Sequence, residues 1–204
     1  MHIRTILLMT SLLSGCAPTS DTPVVTPIHE QTLTDETKSC TLPALFGRSD
    51  FDWERQTLTF QPYVKDLYTT EAIANLRPGD LFQFNGDTLT IESVVFDNDE
   101  VLINRGLDEG GATLQKEGSG HYRGVMWNDY ATYTSLDCVT LPLAEHWTLT
   151  DCGDDPDTPV TTLTEDHQAY LLSLPDYRED FSPLNTTLEI QEGKIVSITR
   201  VWTP

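Results

Sequence analysis

The chain has 204 residues, with 32 acidic against 12 basic side chains and a formal net charge of −20. That length fits one domain with extensions. The charge argues against a nucleic-acid partner, since each phosphate contact needs a Lys or Arg to displace a counterion, and against electrostatic docking on anionic lipid. Asp (19) outnumbers Glu (13), Lys is scarce (four) and Thr is abundant (29), which gives a hydrated, negative surface suited to a saline habitat. Four Trp, seven Tyr and seven Phe require a packed core.

Residues 1–15 read as a short secretory signal. His2 and Arg4 form its head, and the apolar stretch from Ile6 to Leu13 is about half of what a spanning helix needs. It ends in Leu13-Ser14-Gly15-Cys16. This run resembles the lipobox of bacterial lipoproteins over these first 16 residues. Small residues before the cysteine admit a peptidase, and the thiol is the nucleophile that accepts a diacylglyceryl group. The resemblance implies cleavage before Cys16, acylation of Cys16 and anchoring to a bacterial membrane, because two or three acyl chains hold stably. Ala17 in place of an Asp implies the outer membrane if the host is Gram-negative.

The lipidated Cys16 and residues up to 41 read as a tether. Pro18, Pro23 and Pro27, seven Thr and few large apolar side chains cannot bury enough surface to offset ordering. Residues 42–204 then form a single β-rich globular domain. Strand patterns cover 57–64, 81–84, 88–96 and 100–104, the last three as an antiparallel meander that turns first at Asn85-Gly86. A short helix over 70–76 stops at Pro78-Gly79, a turn-then-strand layout that looks like the start of several small β-barrels. Residues 106–124 hold six of the 12 glycines and read as an irregular loop. Two strands flank Pro142, over 132–141 and 146–150. A capping box at Thr162 and Glu165 opens a helix whose apolar face carries Leu163, His167, Tyr170, Leu171 and Leu174. A closing hairpin, 188–190 with 195–202, turns at Glu192-Gly193. The expected fold is α+β and β-rich, an antiparallel small barrel or sandwich of seven to nine strands with one capped C-terminal helix.

Cys40, Cys138 and Cys152 remain for disulfides in an oxidising compartment. Cys138–Cys152 is favoured by proximity across the Pro142 hairpin, with a bridge from Cys40 as the rival. No GxSxG, HExxH, P-loop or GxGxxG pattern in the required context is present. Ser119 and His121 are two apart on a glycine loop, which does not build a triad. No catalytic residue and no cofactor is assigned. The Asp97 and Asp99 turn and the Asp154, Asp155 and Asp157 loop are the calcium candidates, although neither has EF-hand spacing. Tyr122, Trp127, Tyr130 and Tyr133 are the candidate ligand platform for stacking a sugar or a partner.

These features point to a lipid-anchored extracytoplasmic binding or accessory protein of the bacterial envelope, with an envelope protein or a glycan as ligand and no nucleic acid. The alternatives are a secreted carboxylate-based hydrolase and a structural envelope protein without a discrete ligand.

Overall fold

The computed structural model describes residues 24–29, 39–118, 120–152, 157, 159–174 and 180–203. In chain order the strands are β1 (Val24–Val25), β2 (Ser39–Gly47), β3 (Phe51–Asp52), β4 (Thr57–Lys65), β5 (Leu67–Thr69), β6 (Leu81–Phe84), β7 (Asp87–Thr90), β8 (Val94–Asp97) and β9 (Glu100–Ile103). They continue as β10 (Ala112–Glu117), β11 (His121–Val125), β12 (Tyr133–Ser135), β13 (Val139–Asp151), β14 (Thr161–Leu163), β15 (Asp180–Phe181), β16 (Thr186–Gln191) and β17 (Lys194–Arg200). Among the described residues two short α-helices interrupt them, α1 (Thr70–Ala74) and α2 (His167–Ser173). The β-rich α+β class expected from the sequence is the class found.

Five strands close a barrel. β2 pairs with β4, β4 with β13, β13 in parallel with β17, β17 with β16, and β16 back with β2. Period-two alternation fills the interior: β2 buries Leu42, Ala44 and Phe46, and β4 buries Leu58 and Phe60 while Thr59 faces solvent. Leu143, Trp147, Leu149, Leu188, Ile190, Ile195 and Ile198 complete the core. α2 lies on this core through Leu171, with Leu174 buried at its C-cap. His167 stacks on Trp147 with centroids 3.8 Å apart, and its Nε2 lies 3.2 Å from the Leu163 carbonyl. The apolar face read at 167–174 is therefore real, but the helix starts later than its predicted capping box. Residues 161–163 pair with the end of β13 as β14, and Asp166, at φ 57°, opens the helix without a side-chain cap.

A polar lock sits where β13 and β17 end. Asp151 and Arg200 are both buried, and the guanidinium grips the carboxylate bidentately: Nε donates to Oδ1 over 3.1 Å and the second nitrogen donates to Oδ2. The Tyr170 hydroxyl donates to Asp151 Oδ2 over 2.8 Å, and the guanidinium carbon lies 4.6 Å from the Phe181 ring centroid. Helix, barrel and β15 thus meet at one buried pair.

Residues 66–138 are inserted between β4 and β13 and carry their own core. β6 and β7 form a hairpin through Asn85 (φ 48°) and Gly86 (φ 84°), the left-handed pair that a type I′ turn requires. β1 adds to β6, making a sheet of three strands, while β5, β11, β10, β9 and β8 form a sheet of five. Tyr68, Ile73, Phe82, Ile91, Val101, Ile103, Ala112 and Leu114 are buried in a common cluster. The meander read over 81–104 exists as two hairpins in different sheets. Its middle strand breaks at Ile91-Glu92-Ser93 because the Asn104 side chain takes over the backbone there. Its Oδ1 accepts from Glu92 N (2.7 Å) and Ser93 N (3.2 Å), and its Nδ2 donates to Thr90 O (2.8 Å). The domain expected to be single thus holds two hydrophobic clusters.

Two further expectations change. Residues 24–29, within the expected tether, lie on the insertion through β1 and an Ile28–Leu67 bridge. The second change concerns Pro142. It makes no turn, because β13 runs through it, opposite Thr57, where the ladder to β17 has not begun. Cys138 and Cys152 therefore flank opposite ends of a strand of 13 residues, on the order of 40 Å of chain at about 3.3 Å per residue. A disulfide tolerates about 7 Å between Cα atoms. The predicted Cys138–Cys152 bridge is thus corrected: Cys40, Cys138 and Cys152 are all free thiols. Burial pushes the Cys40 thiol above its ordinary range, so its thiolate forms only at higher pH, whereas Cys138 is exposed. Alkylation near neutral pH should label Cys138 first and Cys40 last, and a reductant should leave Tm unchanged. A fall in Tm on reduction would restore a bridge.

Candidate functional site

Strand register assembles one solvent-facing surface on the barrel. Along β4, residues Thr57, Thr59, Gln61, Tyr63 and Lys65 alternate with the buried positions and face outward. Directly paired residues share that face. β12 adds Tyr133 opposite Lys65 and Ser135 opposite Tyr63, and β13 adds Thr140 opposite Thr59. On the other side of β4, Leu45 stands opposite Gln61 and Asp52 opposite Thr57.

Hydroxyls and an amide dominate this face. The Thr59 and Thr140 hydroxyls are 2.8 Å apart, Gln61 Nε2 donates to Leu136 O over 3.3 Å, and the Tyr63 hydroxyl donates to Gln61 Oε1 over 3.4 Å. These bonds fix the donor and acceptor directions before any ligand arrives. Its two charges are offset locally. Lys65 Nζ contacts Glu117 Oε1 at 2.7 Å, and Arg55 contacts Asp52 Oδ2 at 3.0 Å. The Arg55 backbone N–H, with its guanidinium in support, holds the Asp52 carboxyl below the usual carboxylate range. Beside Asp52, Trp53 stacks flat on Phe51, with centroids 4.8 Å apart and planes at 5°. A chain of net charge −20 therefore carries a nearly neutral, hydroxyl-rich sheet face with two half-buried tyrosines.

At the junction with the insertion, Asp66 is buried. Its Oδ1 accepts from the Thr134 hydroxyl (2.7 Å) and lies 3.2 Å from His29 Nε2. Burial first, and the Asp66 charge second, push the nearby Tyr68 phenol up, so it stays a donor to Gln83 O. A separate shallow depression of about 540 Å³ lies at the β16–β17 turn, lined by Ser39, Gln191, Glu192, Lys194 and Val196. It shares no residue with the β4 face.

The predicted platform does not form as one surface. Tyr122 is buried in the insertion core, Trp127 is exposed in the turn before β12, and Tyr130 is half-buried with its hydroxyl enclosed. Tyr133 alone of the four lies on the β4 face. The metal candidates disperse as well. Asp97 and Asp99 are exposed on the β8–β9 hairpin, where Asn98 Nδ2 bonds Asp97 Oδ1 (3.0 Å) and Lys116 lies 3.9 Å from Asp99. Asp157 is exposed, and Asp154 and Asp155 lie outside the described residues. Among the described residues no group of three or more His, Cys, Asp or Glu side chains could hold a metal ion. Cys16, the signal segment and Ser119 also lie outside the described residues. Sequence reasoning missed Thr59, Gln61, Tyr63 and Thr140. Their alternation was legible, but only the closed barrel says which strands neighbour β4.

No protein-family model, curated protein or solved structure matches the chain. The class therefore rests on connectivity. Numbering the barrel strands one to five as β2, β4, β13, β16 and β17, their closed order is 1-2-3-5-4-1. The third and fifth are parallel and α2 lies between the third and fourth. This defines a closed five-stranded barrel with one parallel pair. β4 and β13 are its second and third strands, and the insertion fills the connection between them.

Proposed function

We propose that the protein is a lipid-anchored extracytoplasmic binding or accessory protein of a bacterial envelope, and that its barrel face takes a neutral saccharide. The anchored part of this reading comes from Leu13-Ser14-Gly15-Cys16. One observation carries the ligand: the row Thr59, Gln61, Tyr63, Thr140 and Tyr133 on the β4 face, with its charges locally offset. A polyhydroxyl ligand exchanges hydrogen bonds with such hydroxyls and stacks its apolar ring face on tyrosine. A polyanionic ligand such as an oligonucleotide would find no basic groove in a chain with 12 cationic side chains against 32 anionic ones. The hydrolase and passive-coat alternatives gain no specific support. Among the described residues the buried carboxylates are Asp66, engaged by Thr134 and His29, and Asp151, engaged by Arg200 and Tyr170.

The test is co-sedimentation of the full chain with neutral envelope polysaccharide. Each tyrosine contact is worth roughly 0.5–1.5 kcal/mol, so Tyr63→Ala with Tyr133→Ala should weaken binding about tenfold. Retention equal to the parent protein in that double variant, or no retention of the parent, would remove the saccharide assignment.

A further inference from the structure

The expected tether is not free along its length. Val24 lies opposite Leu81 and Val25 opposite Phe82 in a parallel pair. Ile28 N–H donates to Leu67 O (2.7 Å) and Leu67 N–H donates to Ile28 O (3.3 Å). His29 Nε2 then meets Asp66 Oδ1 at 3.2 Å. Asp66 is the residue where the chain leaves the barrel for the insertion, and its side chain is 2% exposed. A buried carboxylate is costly without donors, so covering it gives this contact a physical reason to persist. Three independent attachments thus fall within six residues, all on the inserted unit and its junction.

We infer that residues 24–29 are a strap that shortens the tether to residues 17–23 and holds the inserted unit next to the bilayer. The inference rests on the anchored reading given above. From Cys16 to Val24 there are eight Cα steps, against 23 from Cys16 to Ser39. Fully extended, eight steps reach about 29 Å and 23 steps about 83 Å. A random coil of eight steps has a root-mean-square span of about 15 Å, and one of 23 steps about 26 Å. The partner of this arrangement is the lipid surface itself: the strap turns a stalk into a short leash. The attachment enters on β6 of the inserted unit, through Val24 and Val25, and ends at the junction with the barrel, where His29 meets Asp66. Ligands within reach of the β4 face are then those near the bilayer.

The test compares two insertions in the full acylated chain on a supported phosphatidylcholine bilayer, read by neutron reflectometry. About sixteen Gly/Ser residues placed between Pro18 and Thr19 lengthen the membrane side of the strap, and should move the protein layer outward by about 10 Å. The same segment placed between Leu33 and Thr34 lies beyond the strap and should leave the layer where it was. Neither insertion touches a residue of either core, so folding is preserved in both. Equal outward shifts, or no shift from the first insertion, would overturn the strap. If instead the parent protein fails to form a layer and its amino-terminal peptide lacks acyl mass, the anchored reading fails first and the inference falls with it.

Discussion

Arg200→Met should cost about 3–5 kcal/mol of stability, the usual loss when one partner of a buried ion pair is removed. The two side chains are 5% and 1% exposed, so water does not reach the carboxylate that is left behind. Methionine keeps much of the volume and the contact with Phe181, which isolates the electrostatic loss. Urea unfolding followed by tryptophan fluorescence should show a lower midpoint with the slope unchanged. A second variant separates the pair from simple packing. Asp151→Leu with Arg200→Met removes both charges and should recover a large part of the loss, because no buried charge is then unpartnered. A single variant as stable as the parent would mean that the pair is solvated. A double variant no better than the single one would mean that packing, not charge, makes the lock.

Phe82→Ala should be of similar size, about 3–5 kcal/mol, for a different reason. Phe82 is fully buried, its ring centroid lies 4.8 Å from that of Tyr68 and 6.5 Å from that of Phe84, and its backbone pairs with Val25 of the strap. Truncation opens a cavity in the insertion core, while the barrel core keeps all its members. Combining Phe82→Ala with Arg200→Met therefore tests whether the two clusters act separately. Their losses should add to within about 0.5 kcal/mol, as expected for distant sites without shared partners. Non-additivity of 1 kcal/mol or more would show that the clusters unfold through a shared contact. Phe82→Ala should also loosen the strap, read as faster hydrogen exchange at the Ile28 amide that bonds Leu67.

Local chemistry made part of this molecule legible in the sequence. Asn85-Gly86 and Glu192-Gly193 adopt positive φ and turn their hairpins as read, because few residue pairs tolerate that conformation. The alternation over 57–64 became β4 with its apolar residues inward, and the 167–174 face became the buried side of α2. The acidic surface and the Leu13-Ser14-Gly15-Cys16 run needed no fold at all to be read.

Long-range pairing decided the rest. Pro142 carries a turn signal, yet β4 offers it a partner at Thr57, so the strand continues and carries Cys138 and Cys152 apart. Thr162 and Glu165 satisfy a capping box, yet the end of β13 pairs with 161–163 and the box is not used. Tyr122 and Tyr133 look alike in sequence. Register sends one into the insertion core and the other onto the β4 face. Residues 24–29 look like tether until Phe82, Leu67 and Asp66 supply edges and a buried carboxylate for them to cover. Turns and faces are set by residues a few positions apart, so the sequence alone determined them. Barrel closure, the β4 surface and the strap join segments tens of residues apart, and the choice among competing partners for one strand is made only when the whole sheet is assembled.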